Sequence, residues 1–342
     1  MVQSDSSGKE GKKITTQRIN EMAFAFRNTG TLIAALELDL FTALSEGPMA
    51  PAEVAEKTGM PPESAQRIMI ACSALALIEA SGDGYVNAPD VDRYLVRGRP
   101  AYFGDYLIYQ AKDDYDGWKN IASRLKPPKR TYHAMAADPK AARAFTVAGF
   151  NSSIAVGRKL AREFDFSRYS LWLDLGGGSG CYAIPAVQSH PDLKAIVFDQ
   201  PNVVAVTREF IDQEGVSDRV TTHAGDFFDS EFPRGADLVS YITPLHSYGP
   251  DDVQFLINKA FDAVEPGGGI LIVDYMINKD KTGPMDSVFR HLGGLLSSTD
   301  SGYVNTSTEL SEYLSRAGFV DVEEREGFIP GSLGIVTGQR PK

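Results

Sequence analysis

Residues 170–180 read SLWLDLGGGSG. An apolar run from Leu171 to Leu175, broken by Asp174, passes straight into Gly176, Gly177 and Gly178. We read it as a buried strand entering a glycine-rich turn, where the missing side chains permit a close approach to the main chain. The pattern then repeats strand and helix. CYAIPAVQSH begins a helix, KAIVFDQP is a strand and turn, and RVTTHAGDFF and ADLVSYITPLH follow. A helix through FLINKAFDAV, an EPGGG loop, the strand ILIVDYMI, a polar insertion, the helix STELSEYLSRAGF and final strands complete the series. Buried strands alternating with helices predict a mostly parallel sheet, with a ligand in the crevice at the carboxyl ends of the strands.

The turn lacks the GxGxxG spacing of a dinucleotide site and the lysine and hydroxyl of a phosphate loop. Acidic residues at strand ends suit hydroxyls and amines instead. Asp174 is placed to receive positive charge from the amino-acid part of a cofactor. Asp199 suits a ribose diol, and Asp226 suits an adenine amine with Phe227 packed on the ring.

The front half is different. Residues 15–45 carry helical periodicity, a short helix starts near Pro51, and another follows Pro61 and Pro62 with Glu63 in its first turn. Ile68, Met69, Cys72, Leu75 and Leu77 supply the buried side of that second helix. ASGDGYVNA then reads as two short extended pieces around a polar turn. Helix, helix, wing is a winged-helix pattern, so a DNA-binding regulator is a rival reading. The presumed reading helix offers Gln66 and Arg67 among apolar residues, and a dimerisation module fits better. The expected organisation is a disordered lead over 1–14, a helical winged-helix dimerisation region over 15–100, a helical substrate-pocket and linker region over 101–165, and a Rossmann-like catalytic domain over 166–342.

The chain has 342 residues, 43% hydrophobic and 23% charged, enough for a sizeable core in two domains. Its formal charge of −11, without a long basic stripe, argues against a nucleic-acid partner. The lead MVQSDSSGKEGKK has no apolar signal core and no stretch reads as a membrane span, so we expect a cytoplasmic protein. Cys72 and Cys181 read as lone buried thiols. No HExxH or clustered Cys/His pattern points to a metal. Asp251 and Asp252 suit a helix start.

Taken together, LDLGGGSG, VFDQP, AGDFF, PLHSY and EPGGGILIVD mark a resemblance over Asn20 to Gly338. The chain resembles the two-domain, S-adenosylmethionine-dependent small-molecule methyltransferases related to plant caffeate and bacterial antibiotic O-methyltransferases. The resemblance implies a winged-helix dimerisation region, a homodimer, a Rossmann-like class I methyltransferase domain and a substrate cavity between the two. It implies that Ser153 contacts the methionine carboxylate of the cofactor. Gly149 stands where the family often has methionine, which leaves room near the sulfonium.

The resemblance also places His246 at the catalytic histidine of a pattern usually written HDW, a base that removes a phenolic proton as the oxygen attacks the methyl group. Here Ser247 replaces the aspartate and Tyr248 the tryptophan. Asp274 takes the position of one supporting carboxylate, and Asn305 falls where another is common. We read this as thinned base machinery. A thioether acceptor would need no base, because its sulfur has a lone pair and no proton to lose. The LHSYGPDD variant and the tyrosine-rich YFGDYLIYQAKDDYDGW are similar to marine bacterial methylthiohydroxybutyrate S-methyltransferases of dimethylsulfoniopropionate synthesis. That similarity implies S-methylation of a thioether hydroxy acid, 4-methylthio-2-hydroxybutyrate, with O-methylation of a phenol or polyketide hydroxyl as the alternative.

Tyr106, Tyr109, Tyr115, Trp118, Tyr132 and His133 are candidates to line an aromatic acceptor cavity, where ring faces favour a cation. Arg290 is a candidate to neutralise a substrate carboxylate. His223 reads as ordinary structure.

Overall fold

The structure, a computed structural model, describes residues 15–125, 138–294 and 302–342. The expected lead over 1–14 and the candidates Tyr132 and His133 lie outside the described residues. The chain divides into two compact units between Ile108 and Tyr109.

The first unit holds helices α1 (Gln17–Phe24), α2 (Phe26–Glu37), α3 (Leu40–Ala43), α4 (Pro51–Thr58) and α5 (Pro62–Ala74), strands β1 (Ile78–Ser81) and β2 (Gly84–Asn87), and helix α6 (Pro89–Leu95). Pro51 and Pro62 open α4 and α5, where a missing N–H costs nothing. Glu53 accepts from the Ala50 amide at 2.7 Å, and Gly59 stops α4 in the left-handed region. Ala65, Met69 and Cys72, spaced along one face of α5, are fully buried; Met69 and Cys72 pack with Leu36, Leu40, Phe41, Val54 and Ile78. Ile68, Leu75 and Leu77 are half-buried, so the buried stripe is narrower than the sequence suggested. β1 and β2 form the expected antiparallel wing. Helix α1 buries none of its residues, and Ile19, Met22, Phe24 and Phe26 stand exposed along it and its junction with α2.

Helix α7 (Gly104–Lys119) runs across the division. The second unit continues with α8 (Ile121–Arg124), α9 (Pro139–Glu163), β3 (Leu171–Leu175), α10 (Ala183–Ser189), β4 (Lys194–Asp199), α11 (Pro201–Gln213), β5 (Val220–Ala224) and β6 (Ala236–Ile242). α12 (Pro250–Ala263), β7 (Val264–Tyr275), α13 (Met285–Gly293), α14 (Ser307–Ala317), β8 (Val320–Ile329) and β9 (Leu333–Gln339) complete it.

Seven strands form one sheet in the order β5-β4-β3-β6-β7-β9-β8. The first five are parallel and β9 is antiparallel to both neighbours. Both faces are covered, which explains the near-continuous apolar runs. Trp172 packs on one side with Ile184, Val197 and Leu271; Leu173 and Leu175 pack on the other with Phe198, Val239 and Ile272. The chain runs from β3 to β4 to β5 and then returns to lay β6 on the other side of β3. That reversal opens a crevice at the carboxyl ends of β3 and β6.

The EPGGG stretch differs from the expected loop. β7 starts at Val264 and runs through it, with a register irregularity between the Ala236 and Leu238 pairings and Gly267 at φ +81°. A bulge takes up the extra residues without ending the strand. Asp251 and Asp252 do lie in the first turn of α12, and α14 opens with a Thr306–Glu309 capping box. Cys72 and Cys181 are free and buried, and burial pushes their thiols up to about 11 and about 12.

Candidate active site

The turn after β3 is shaped by its neighbours as much as by its glycines. Gly176 and Gly178 adopt φ +74° and +54°, which favours glycine. A β-carbon on Gly177 would sit 2.5 Å from Asp174 Oδ2 and 2.8 Å from Val197 Cγ1. Asp174 is completely buried. Its Oδ1 accepts from the Ser240 hydroxyl at 2.8 Å, and Ser240 Oγ accepts from Trp172 Nε1 at 2.8 Å. Oδ2 has no hydrogen-bond partner. Burial, aided by the nearby charge of Asp199, pushes Asp174 up to about 7 despite the Ser240 bond. An orphaned buried carboxylate oxygen is costly, and a cationic ligand group at the turn would satisfy it.

Asp199 closes β4. Its Oδ2 accepts from the Gly178 amide at 2.9 Å and its Oδ1 from the Gln200 amide at 2.7 Å. Burial pushes it up to about 6, against the lowering effect of these two amides. Each oxygen keeps a further lone pair for a ligand hydroxyl. Asp226 Oδ1 accepts from the Phe228 amide at 2.8 Å, bending the loop after β5. Lys259 pins that loop by donating to the carbonyls of Phe227 and Ser230 at 2.6 and 2.8 Å. Phe227 lies parallel to Phe198 with centroids 6.2 Å apart, and its ring tip fills the space a Gly176 β-carbon would need. His223 stacks on Phe198 at 5.7 Å, a structural contact.

Helix α9 passes over the turn at Gly157, where a β-carbon would come within 2.0 Å of the Cys181 carbonyl oxygen. Ser153, one turn earlier, hydrogen bonds with the buried Tyr182, whose hydroxyl also meets Thr243. Thr243 holds φ +67°, a strained conformation for a β-branched residue at the end of β6. A β-carbon at Gly149 would meet no atom within 4 Å.

Three residues past Thr243, His246 Nδ1 lies 2.7 Å from Asp274 Oδ1, and the His246 amide donates to Oδ2 at 3.1 Å. Asp274 is buried at the end of β7, and its Oδ1 also accepts from the Tyr275 amide at 2.7 Å. With Nδ1–H given to Asp274, the imidazole presents the Nε2 lone pair. The side chain of His246 is 20% exposed, enough to meet a ligand. Of the base machinery expected from the sequence, the carboxylate of Asp274 stands beside the imidazole. It comes from β7, the strand paired with β6.

Tyr275 stands edge-on to His246 with centroids 4.9 Å apart and carries the Arg290 guanidinium over its ring at 3.8 Å. Arg290 Nε also meets Asp286 at 3.4 Å. Trp118 packs edge-to-face on Phe289 at 5.8 Å, against α13. Tyr109 leans on Phe145, Tyr115 is 38% exposed, and Tyr106 is half-buried in the first unit. Asn305 is buried, its Nδ2 donating to the Tyr303 carbonyl at 3.3 Å and its Oδ1 without a partner. The fold thus gathers Ser153 with Tyr182 and Thr243, and His246 with Asp274, Tyr275 and Arg290. Sequence reasoning missed Tyr182, Ser240, Thr243 and Tyr275. Tyr275 directly follows Asp274, which was the one available signal. Among the described residues, no His, Cys, Asp and Glu cluster is arranged to hold a metal, and no helix is long and apolar enough to cross a membrane.

The sheet order and the acidic ends of β3 and β4 beside the glycine turn define an S-adenosylmethionine-dependent methyltransferase of Rossmann-like class I, preceded by a mostly helical unit. The chain belongs to the O-methyltransferase family: residues 122–320 match its O-methyltransferase domain and residues 20–97 its O-methyltransferase dimerisation domain. It is 34% identical to the tetracenomycin polyketide synthesis 8-O-methyl transferase TcmO of Streptomyces glaucescens, covering 95% of this chain and 96% of that protein. It is 31% identical to the 3-hydroxy-5-methyl-1-naphthoate 3-O-methyltransferase of Streptomyces sahachiroi, covering 99% of each. The crystal structure of human N-acetylserotonin methyltransferase in complex with S-adenosylmethionine superposes with a TM-score of 0.85 at 25% identity, covering 98% of this chain and 100% of that one.

Proposed function

We propose that this protein methylates an aromatic hydroxyl, with His246 as the general base. The observation that carries the reading is the His246–Asp274 pair, which fixes the imidazole in the tautomer a base requires. The two relatives named above, by their names, act at hydroxyls of a polyketide and a hydroxynaphthoate. S-adenosylmethionine supplies the activated methyl group. Asp174 Oδ2 meets its ammonium, Gly176, Gly177 and Gly178 let it lie against the main chain, and Asp199 accepts from the ribose hydroxyls. Asp226 and Phe227 frame the adenine, and Ser153 holds the carboxylate end. Tyr109, Tyr115 and Trp118 are assigned to the acceptor side. Held by Asp274, His246 takes the acceptor proton on Nε2, and the developing imidazolium is stabilised by that buried carboxylate. The exposed apolar side chains of α1 and the match to the dimerisation domain support a homodimer.

A second reading, S-methylation of 4-methylthio-2-hydroxybutyrate, draws on Asn305. This neutral, buried amide with an unpaired oxygen stands where a second supporting carboxylate was expected. A thioether needs no base, and His246 would then hold the hydroxyl of the acid. Mass spectrometry of products from hydroxynaphthoates, simple phenols, methylthiohydroxybutyrate and methionine separates the two. A methyl ether supports the first reading; a sulfonium product with no ether overturns it.

A further inference from the structure

We propose that Thr207 is a positioning residue for the cofactor's ribose, acting through the glycine turn on Asp199. Thr207 lies on α11, the helix after β4, and is completely buried. Its hydroxyl reaches the Gly178 carbonyl at 2.5 Å and the Val203 carbonyl, one turn back in its own helix, at 2.9 Å. Gly178 in turn donates its amide to Asp199 Oδ2 at 2.9 Å. The residue is therefore gripped at both polar atoms, by the end of β4 through its amide and by α11 through its carbonyl. The grip matters because Gly178 sits at φ +54° with no side chain to fix it, and no atom lies within 4 Å of where a β-carbon would stand. Holding its amide in one direction keeps the Asp199 carboxylate aimed at a ribose diol before the ligand arrives.

The alternative is that the hydroxyl merely bonds the Val203 carbonyl, as threonines inside helices commonly do. A hydroxyl has one proton to give. The Gly178 contact is the shorter of the two, so the proton goes to the turn and the bond within the helix is secondary. The methyl group makes a separate contact: Thr207 Cγ2 lies 3.4 Å from where a β-carbon on Gly180 would stand. That is ordinary packing, and Thr207→Ser removes it while keeping the hydroxyl.

This inference rests on the proposed contact between Asp199 and the ribose hydroxyls, and its test does not require methyl transfer. Calorimetry would compare S-adenosylhomocysteine with its 2′,3′-dideoxy analogue, which lacks those hydroxyls. The wild type should prefer the ribose form about ten- to a hundredfold, as expected for hydrogen bonds to a charged group. Thr207→Ala should cut that preference about three- to tenfold, with binding of the dideoxy analogue unchanged. Thr207→Ser differs from Thr207→Ala by the hydroxyl alone and should keep most of the preference. Equal losses in the two variants overturn the proposal, because the methyl would then be the group that matters. A loss in Thr207→Ala that falls equally on both ligands also overturns it, since a brace for α11 would act that way. Asp199→Asn separates the two levels. If that variant binds both ligands as the wild type does, the ribose contact fails and the inference fails with it. If it loses the preference while Thr207→Ala keeps it, the inference alone fails.

Discussion

His246 and Asp274 are 28 residues apart in sequence, yet the imidazole Nδ1 sits 2.7 Å from the carboxylate Oδ1. The same carboxylate also takes the backbone amide of His246, so both the ring and its loop are aimed by one side chain. An aimed base and a merely packed histidine predict different kinetics. His246→Ala should lower kcat for aromatic hydroxyl methylation by about 10²- to 10⁴-fold with little change in S-adenosylmethionine affinity. Asp274→Asn should lower kcat less, by about tenfold or more, and Asp274→Ala should also lose stability because three donors are orphaned. Steady-state kinetics and a cofactor titration on the same preparations read these effects. A His246→Ala enzyme that keeps full kcat on a phenol would rule out the base.

Asp174 and Asp199 set a pH dependence. Both carboxyls are raised in the folded state, to about 7 and about 6, by burial. The folded protein therefore holds more protons than the unfolded chain between the ordinary carboxylate value and these pKa values. Its stability through these groups is full in acid and is lost as pH rises toward 7. A ligand ammonium at Asp174 selects the ionised form. Affinity for S-adenosylhomocysteine should rise between pH 6 and pH 8, with proton release on binding below pH 7. Calorimetry in buffers of different ionisation enthalpy measures both, and a pH-independent affinity would contradict the contact.

Ser240 tunes that acid. Its hydroxyl bonds Asp174 and accepts from Trp172, all inside the core. Ser240→Ala should cost about 1–3 kcal/mol in a urea unfolding measurement, since a buried indole N–H and a carboxylate oxygen lose their partner. Because the Ser240 bond lowers the Asp174 pKa, its removal should move the pH midpoint of cofactor binding upward.

Gly157 tests the close approach of α9 to the glycine turn. With a β-carbon 2.0 Å from the Cys181 carbonyl, Gly157→Ala must push the helix away. A destabilisation of about 1–3 kcal/mol is expected. Cofactor affinity should fall with it, because Ser153 and Tyr182 move apart. A control at Gly149, inside α9 where the space is open, should instead raise the urea midpoint, since Gly149→Ala gains about 0.5–1 kcal/mol in a helix interior.

The division between what the sequence determined and what the tertiary structure decided follows the range of the forces involved. The run from Leu171 to Gly178, the prolines at Pro51 and Pro62, and the alternation of apolar strands with helices were legible because each depends on neighbours within a few residues. Asp174 and Asp199 were legible for the same reason: each ends a recognisable strand. The support of His246 was not legible from local pattern and was expected only through the family resemblance, because the two partners are 28 residues apart. The partner is Asp274, brought to His246 by the parallel pairing of β6 with β7. Tyr275 likewise meets His246 only because β7 lies beside β6 in that sheet. Local pattern fixes which elements form. Sheet order, set by burial on both faces of the strands, decides which distant side chains share a crevice.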